Sequence, residues 1–199
     1  MKTEIEKLLS KASFNRSVKI RKASNNKEIK PKLLTDYEVK EIKKFTPAVH
    51  KTMMDALFTI TLRPSELLAT TRTNIDCENH SLQITRSLTD LEYDYYPAPR
   101  TIFFTDEQQT FFTSLLKNLD HDSEFIFINP DTNERWTNLE QFRRKVWKKI
   151  LSAAGVEPRP LMYTRYYAAF KMLEQGYTDN CVAEQLGHPS IDYLLLLKK

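Results

Sequence analysis

The chain has 199 residues, 41% of them hydrophobic and 11% aromatic, which suffices for a real core and fits one domain with a short arm. Its 30 basic and 26 acidic residues leave a net charge of only +4, which permits a polyanionic partner without requiring one. No apolar run approaches the roughly 20 residues needed to span a bilayer, so no membrane-spanning helix and no membrane partner are expected, and an intracellular, cytoplasmic location is. The opening Met1-Lys2-Thr3-Glu4-Ile5-Glu6-Lys7 alternates charges where an export signal needs an apolar stretch. Residues 1–32 carry Lys2, Lys7, Lys11, Arg16, Lys19, Arg21, Lys22, Lys27, Lys30 and Lys32 against Glu4, Glu6 and Glu28. They read as a basic arm or linker, either a phosphate contact or a solvated tail, ahead of a folded domain over residues 33–199.

Three hydroxyl residues followed by Glu or Gln three positions later predict capped helix starts: Thr35 with Glu38, Thr105 with Gln108, and Thr137 with Glu140. Met53, Met54, Leu57 and Phe58 predict a buried helix, and Pro64 suits the first turn of the next, with Arg63 at its start. His80–Thr85 alternates and Arg100–Phe104 is β-branched and aromatic, so both read as strands of a small antiparallel sheet, with Phe125–Ile128 as a third strand. Helices follow from about residue 137 to 153, 163 to 175 and 179 to 186. Gly155, Gly176 and Gly187, the chain's three glycines, fall just past the ends of these helices. The fold class is mainly α with a small antiparallel β-sheet. Cys77 and Cys181 stand far apart without His or Cys neighbours, so they read as buried fillers; no metal or cofactor is expected.

The segments Leu62-Arg63-Pro64-Ser65-Glu66-Leu67-Leu68, Ile84–Thr89, the Phe125 strand, Ala153-Ala154-Gly155, the Arg165 helix and Leu186-Gly187-His188 occur in one order. In that order and spacing the chain, over about residues 33–197, resembles the catalytic domain of the tyrosine recombinase (phage integrase) family. The resemblance implies double-stranded DNA as partner and a role in DNA integration or site-specific recombination of phage or mobile-element type. It implies assembly on DNA as a homo-oligomer or with a recombinase partner. Arg63, Arg165 and His188 are the implied catalytic residues. Guanidinium forks suit a phosphate because they are planar, donate in pairs and stay charged. Each residue also has a plainer reading: a surface arginine at a helix start, a salt-bridge partner and a helix-end cap.

Departures from the pattern bear on activity. Met162 stands where active members usually carry a histidine, and it neither donates nor accepts strongly. No lysine occurs between Lys51 and Lys117, so the hairpin lacks the family's general acid and reads Asp90-Leu91-Glu92-Tyr93-Asp94-Tyr95-Tyr96-Pro97-Ala98-Pro99. Arg86 and Arg100 replace its charge but are poor proton donors. The family's nucleophilic tyrosine falls here on Leu197 or Lys198, with Tyr193 the nearest tyrosine. Gln141, Arg144, Lys145 and Lys148 form a basic face opposite Leu139, Phe142, Val146 and Ile150. The resemblance places this helix in the major groove, which makes Gln141, Arg144 and Lys148, with Arg86 and Arg100, the expected DNA contacts. The leading expectation is a DNA-binding member unable to cleave DNA alone. The alternatives are an active recombinase whose tyrosine comes from a partner or was lost by truncation, and a helical protein-interaction module using Leu194–Leu197.

Overall fold

In the computed structural model, residues 33–85, 87, 99–119, 122–188 and 190–192 are described. The basic arm, Arg86, the acidic hairpin segment through Ala98, Tyr193 and the terminal leucines lie outside them. Helix α1, Asp36–Lys44, starts at Thr35, whose hydroxyl accepts from the Glu38 N–H while the Glu38 carboxylate takes the Thr35 N–H. It turns Val39 and Ile42 to the core. A 3-10 turn, Ala48–His50, leads into α2, Lys51–Thr59, where Met53, Met54, Ala56, Leu57 and Phe58 are all buried. Being apolar around most of its circumference, α2 is the central helix. Next, α3 spans Pro64–Leu68, and every one of its residues is buried.

A 3-10 turn at Arg72–Asn74 precedes a three-stranded antiparallel sheet of β1 (Ile75–Asp76), β2 (Ser81–Ile84) and β3 (Arg100–Phe103), in that order. Ile84 pairs with Arg100 at one end of the β2–β3 ladder and Ser81 with Phe103 at the other. Helix α4, Asp106–Lys117, is capped by Thr105 and Gln108 as the sequence indicates, and it buries Phe112 and Leu115. The expected strand at Phe125–Ile128 is broken. Phe125 bridges Thr71, and the Ile126 N–H reaches the Thr70 carbonyl at 3.1 Å. Pairing then shifts to a hairpin of β4 (Ile128–Asn129) and β5 (Glu134–Arg135).

The last third is helical: α5 (Leu139–Phe142), a π-helical segment (Arg143–Trp147), α6 (Lys148–Ala153), α7 (Tyr163–Glu174) and α8 (Asp179–Leu186). The α5 start is capped by Asn138, whose side chain accepts from the Gln141 N–H at 2.7 Å, and not by Thr137 as the pattern suggests. Asn is at least as good an N-cap as Thr, and here it stands one residue closer to the helix. Phe142, Val146, Trp147, Ile150 and Leu151 all face the main core, and the Trp147 indole donates to the Arg159 carbonyl at 2.7 Å. A second cluster, around Phe170, Met172, Val182 and Leu186, joins α7 to α8. Cys77 and Cys181 are free and only half-buried, because each sits at a cluster's margin and not inside it as expected.

Candidate functional site

The centre of the site is Glu66, a residue the motif reading passed over. Arg63 precedes α3 in extended conformation, Pro64 occupies the first helical position, and Glu66 follows at the third. From there its carboxylate reaches back to the Arg63 backbone N–H at 2.8 Å and accepts Arg63 Nη1 at 2.8 Å. Strand β3 delivers Arg100, whose Nη1 and Nη2 meet Glu66 Oε1 and Oε2 at 2.8 and 2.9 Å. Helix α7 delivers Arg165, with Nη1 at 3.7 Å from Glu66 Oε2 and Nη2 donating to the Leu186 carbonyl. The side chains of Glu66 and Arg165 are each 1% exposed, while that of Arg63 is 37% exposed. Burial alone would push the Glu66 carboxyl up, but the hydrogen bonds and charge of Arg100, then the backbone N–H and charge of Arg63, hold it below the usual range. One carboxylate thus faces three guanidinium groups, and the cluster keeps a positive excess.

The end of α8 brings His188 to the same place. Gly187 adopts a left-handed conformation (φ 62°), its N–H bonds the Glu184 carbonyl at 2.9 Å, and the His188 N–H bonds the Ala183 carbonyl at 3.0 Å. The Arg100 side chain lies against this turn: a Cβ on Gly187 would come within 2.8 Å of Arg100 Nε. His188 is half-buried, and its imidazole is held below the ordinary 6.5, first by burial and then by the charges of Arg165, Arg63 and Arg100, with Glu66 opposing them. A neutral ring offers one donor and one acceptor at neutral pH. The structure therefore brings Arg63, Arg165, His188 and Arg100 together.

A model of the phage integrase family matches residues 32–194. The chain belongs to the phage integrase family. No curated protein matches it. Among solved structures it is similar to the XerA recombinase, at 14% identity and a TM-score of 0.65, covering 98% of this chain and 68% of that one. It is also similar to the Tn1549 transposon integrase in complex with transposon right end DNA, at 20% identity and TM-score 0.64, covering 88% of this chain and 64% of that one. A lambda integrase tetramer bound to a Holliday junction matches at 15% identity and TM-score 0.65, covering 98% of this chain and 56% of that one. At such identities the likeness is one of fold.

In this member of the phage integrase family the other expected residues that are described, Gln141, Arg144 and Lys148, share no hydrogen bond or ion pair with the cluster. Gln141 stands in the first turn of α5, Arg144 is exposed within the π segment, and Lys148 is exposed at the start of α6. Lys145 pairs with Asp131 at 3.5 Å; among the described residues no ion pair holds Arg144 or Lys148. Met162 precedes the first turn of α7 and is half-buried. The tyrosines flanking Arg165 are packing residues: Tyr166 meets Tyr163 edge to face, Tyr167 meets Phe58 likewise, and the Tyr167 hydroxyl donates to Asp36 at 2.9 Å. Burial, then Asp36, pushes the Tyr167 phenol up to about 12, so it stays protonated. Among the described residues no group of His, Cys, Asp and Glu could hold a metal ion, and no helix is long and apolar enough to cross a membrane. A hollow of about 620 Å³ opens by His50, Met53, Leu115 and Trp136, but its lining includes no arginine or lysine and shares no residue with the Glu66 cluster.

Proposed function

We propose that this protein binds duplex DNA in DNA integration or site-specific recombination, seats a backbone phosphate against Arg63, Arg165 and His188, and does not cut the strand alone. The convergence of arginines from α3, β3 and α7 on Glu66, with His188 beside them, carries this reading. With more guanidinium charge than one carboxylate neutralises, the cluster attracts a monoanionic phosphodiester, and the exposed Arg63 fork gives it a landing point. Cutting needs more than a clamp. Arginine does not release protons near neutral pH, so the guanidinium groups offer no ready acid for a leaving oxygen. Met162 offers no replacement, and Leu197 and Lys198 stand where the family's tyrosine is expected.

Gln141, Arg144 and Lys148 supply the groove-facing contacts of this proposal, with Arg86 and the basic arm of residues 1–32, ahead of the domain over 33–199, as further phosphate contacts. On DNA the protein assembles with copies of itself or with a recombinase, as the lambda integrase tetramer does on a Holliday junction. Two measurements test the proposal. Fluorescence anisotropy with labelled duplex should give binding that Arg63→Ala weakens, and unchanged affinity would remove the phosphate from the cluster. Nicked suicide substrates should yield no covalent protein–DNA adduct; an adduct that Tyr193→Phe abolishes would make the protein an active recombinase. A dimer that forms without DNA and requires residues 194–199 would instead support the interaction module.

A further inference from the structure

The chelation of Glu66 comes mainly from Arg100, a residue that the sequence offers as a DNA contact. Both of its Nη atoms donate to the Glu66 carboxylate, at 2.8 and 2.9 Å, its side chain is 20% exposed, and its Nε is buried without a hydrogen-bond partner. The same Nε faces the backbone of Gly187 so closely that a methyl group there would stand 2.8 Å away. Farther along β3, the Phe103 carbonyl accepts the Gln185 amide, so the strand is tied to the end of α8 at two points. Glu66 fixes the orientation of the Arg100 fork, so the residue bears on the site through that carboxylate and through Gly187.

We propose that Arg100 is a positioning residue: by chelating Glu66 and bearing on Gly187, it fixes the spacing between the Arg63 fork and His188. This rests on the phosphate-seat reading above. A lysine cannot substitute, because a single ammonium cannot span both carboxylate oxygens or stack flat against a backbone turn. Arg63 is left with the outward share of the work, its fork half in solvent and oriented through the carboxylate that Arg100 holds.

The test uses the full chain and three variants, Arg100→Lys, Glu66→Gln and the double Arg100→Met/Glu66→Gln, beside Arg100→Met. DNA-free NMR of the His188 ring comes first, since it needs no DNA binding. Arg100→Lys keeps the charge yet should shift the His188 ring resonances, because the turn loses its support; resonances and titration identical to wild type would overturn the proposal. In anisotropy, Arg100→Lys should weaken duplex binding about tenfold, the low end of what loss of an outer-shell partner costs at metal sites, with the salt dependence unchanged. If Arg100 touched phosphate directly, Arg100→Met would lower the slope of log K against log salt by about 0.9 and Arg100→Lys would restore it, and that result would also overturn the proposal. Thermal unfolding closes the cycle. Arg100→Met should destabilise the wild-type background and be neutral or stabilising beside Glu66→Gln, where it removes an unbalanced cation; equal losses in both backgrounds would show that Arg100 does not act through Glu66. Should Arg100→Met fail to fold while the double variant folds, the sign reversal is already demonstrated. Absence of DNA binding by wild type, with the NMR shift present, would sink the phosphate seat and leave the Arg100 role standing.

Discussion

Arg165 on α7 donates through Nη2 to the carbonyl of Leu186, the last residue of α8. A helix leaves its final carbonyls without partners in its own backbone, and its C-terminal end carries partial negative charge, so a buried guanidinium there satisfies an acceptor and a dipole together. The other end of the same fork lies 3.7 Å from Glu66. Arg165 is therefore as much a joint of the fold as a candidate phosphate ligand.

Removing it should cost more than function. Arg165→Ala leaves the Leu186 carbonyl without its donor and opens a cavity where a side chain only 1% exposed stood, and stability in urea should fall by about 2–5 kcal/mol. Arg63→Ala removes a side chain that is 37% exposed, so the loss should be about 1 kcal/mol or less. The Arg63 variant isolates phosphate binding; equal midpoints for the two would contradict the buried-joint role.

Acid should weaken the fold in a window set by histidine. Burial holds His188 and His50 below their ordinary 6.5, aided at His188 by Arg165, Arg63 and Arg100 and opposed at His50 by Asp131. Each ring is then neutral when folded and takes up a proton on unfolding. Its contribution is complete above 6.5 and is lost as pH falls from 6.5 through the folded-state value. Glu66, Asp36 and Asp76 are held below the usual carboxylate range and titrate lower. Urea midpoints should therefore be lower near pH 5.5 than near 7.5, and His50→Gln with His188→Gln should flatten that difference.

Binding of a phosphate should bend the same titration the other way. An anion beside His188 favours the imidazolium, so the complex takes up a proton and affinity strengthens as pH falls through the ring's range. Anisotropy titrations across pH 7.5 to 5.5 measure this, and His188→Gln should remove the trend.

The glycines at two helix ends give an internal comparison. Gly155 and Gly187 both hold φ in the left-handed region, at 66° and 62°, but only at Gly187 would a Cβ meet a neighbour. Gly155→Ala should cost about 1–2 kcal/mol of backbone strain. Gly187→Ala should cost that and also displace Arg100 from Glu66, which thermal melts would show as the larger drop.

Charge on the π-segment face should act on DNA alone. Arg144 and Lys148 are exposed, and among the described residues neither is held in an ion pair. Arg144→Ala with Lys148→Ala should leave the melting temperature unchanged and lower the slope of log K against log salt by about 0.9 for each phosphate that the protein no longer neutralises.

Helix starts and stops were legible wherever one local signal had no competitor. Thr35 and Thr105 cap α1 and α4 as their spacing indicates, and Gly187 ends α8. Thr137 failed because Asn138 beside it makes the better cap. The Phe125 strand failed because a run of buried aromatic and aliphatic residues has no alternation to fix a register, and pairing with Thr70 and Thr71 gives way to the β4–β5 turn. At the site, the motif order pointed to Arg63, Arg165 and His188, which do converge. Glu66 was visible as the third residue of a helix start, but its hub role depends on Arg100 and Arg165 arriving from elements distant in sequence.

The π segment has a consequence for how the chain tolerates change in length. The Lys148 N–H bonds the Arg143 carbonyl, five residues back, and the inward residues Phe142, Val146, Trp147, Ile150 and Leu151 are spaced to match that wider turn. Deleting Lys145 would bring the five to the i, i+3, i+4, i+7, i+8 spacing of an uninterrupted α-helix. Both flanking stretches would keep their face to the core, whereas a one-residue deletion in α7 would swing everything after it by more than a quarter turn. The segment is a built-in spare residue, one that the core-facing stripe can lose and still remain a single stripe.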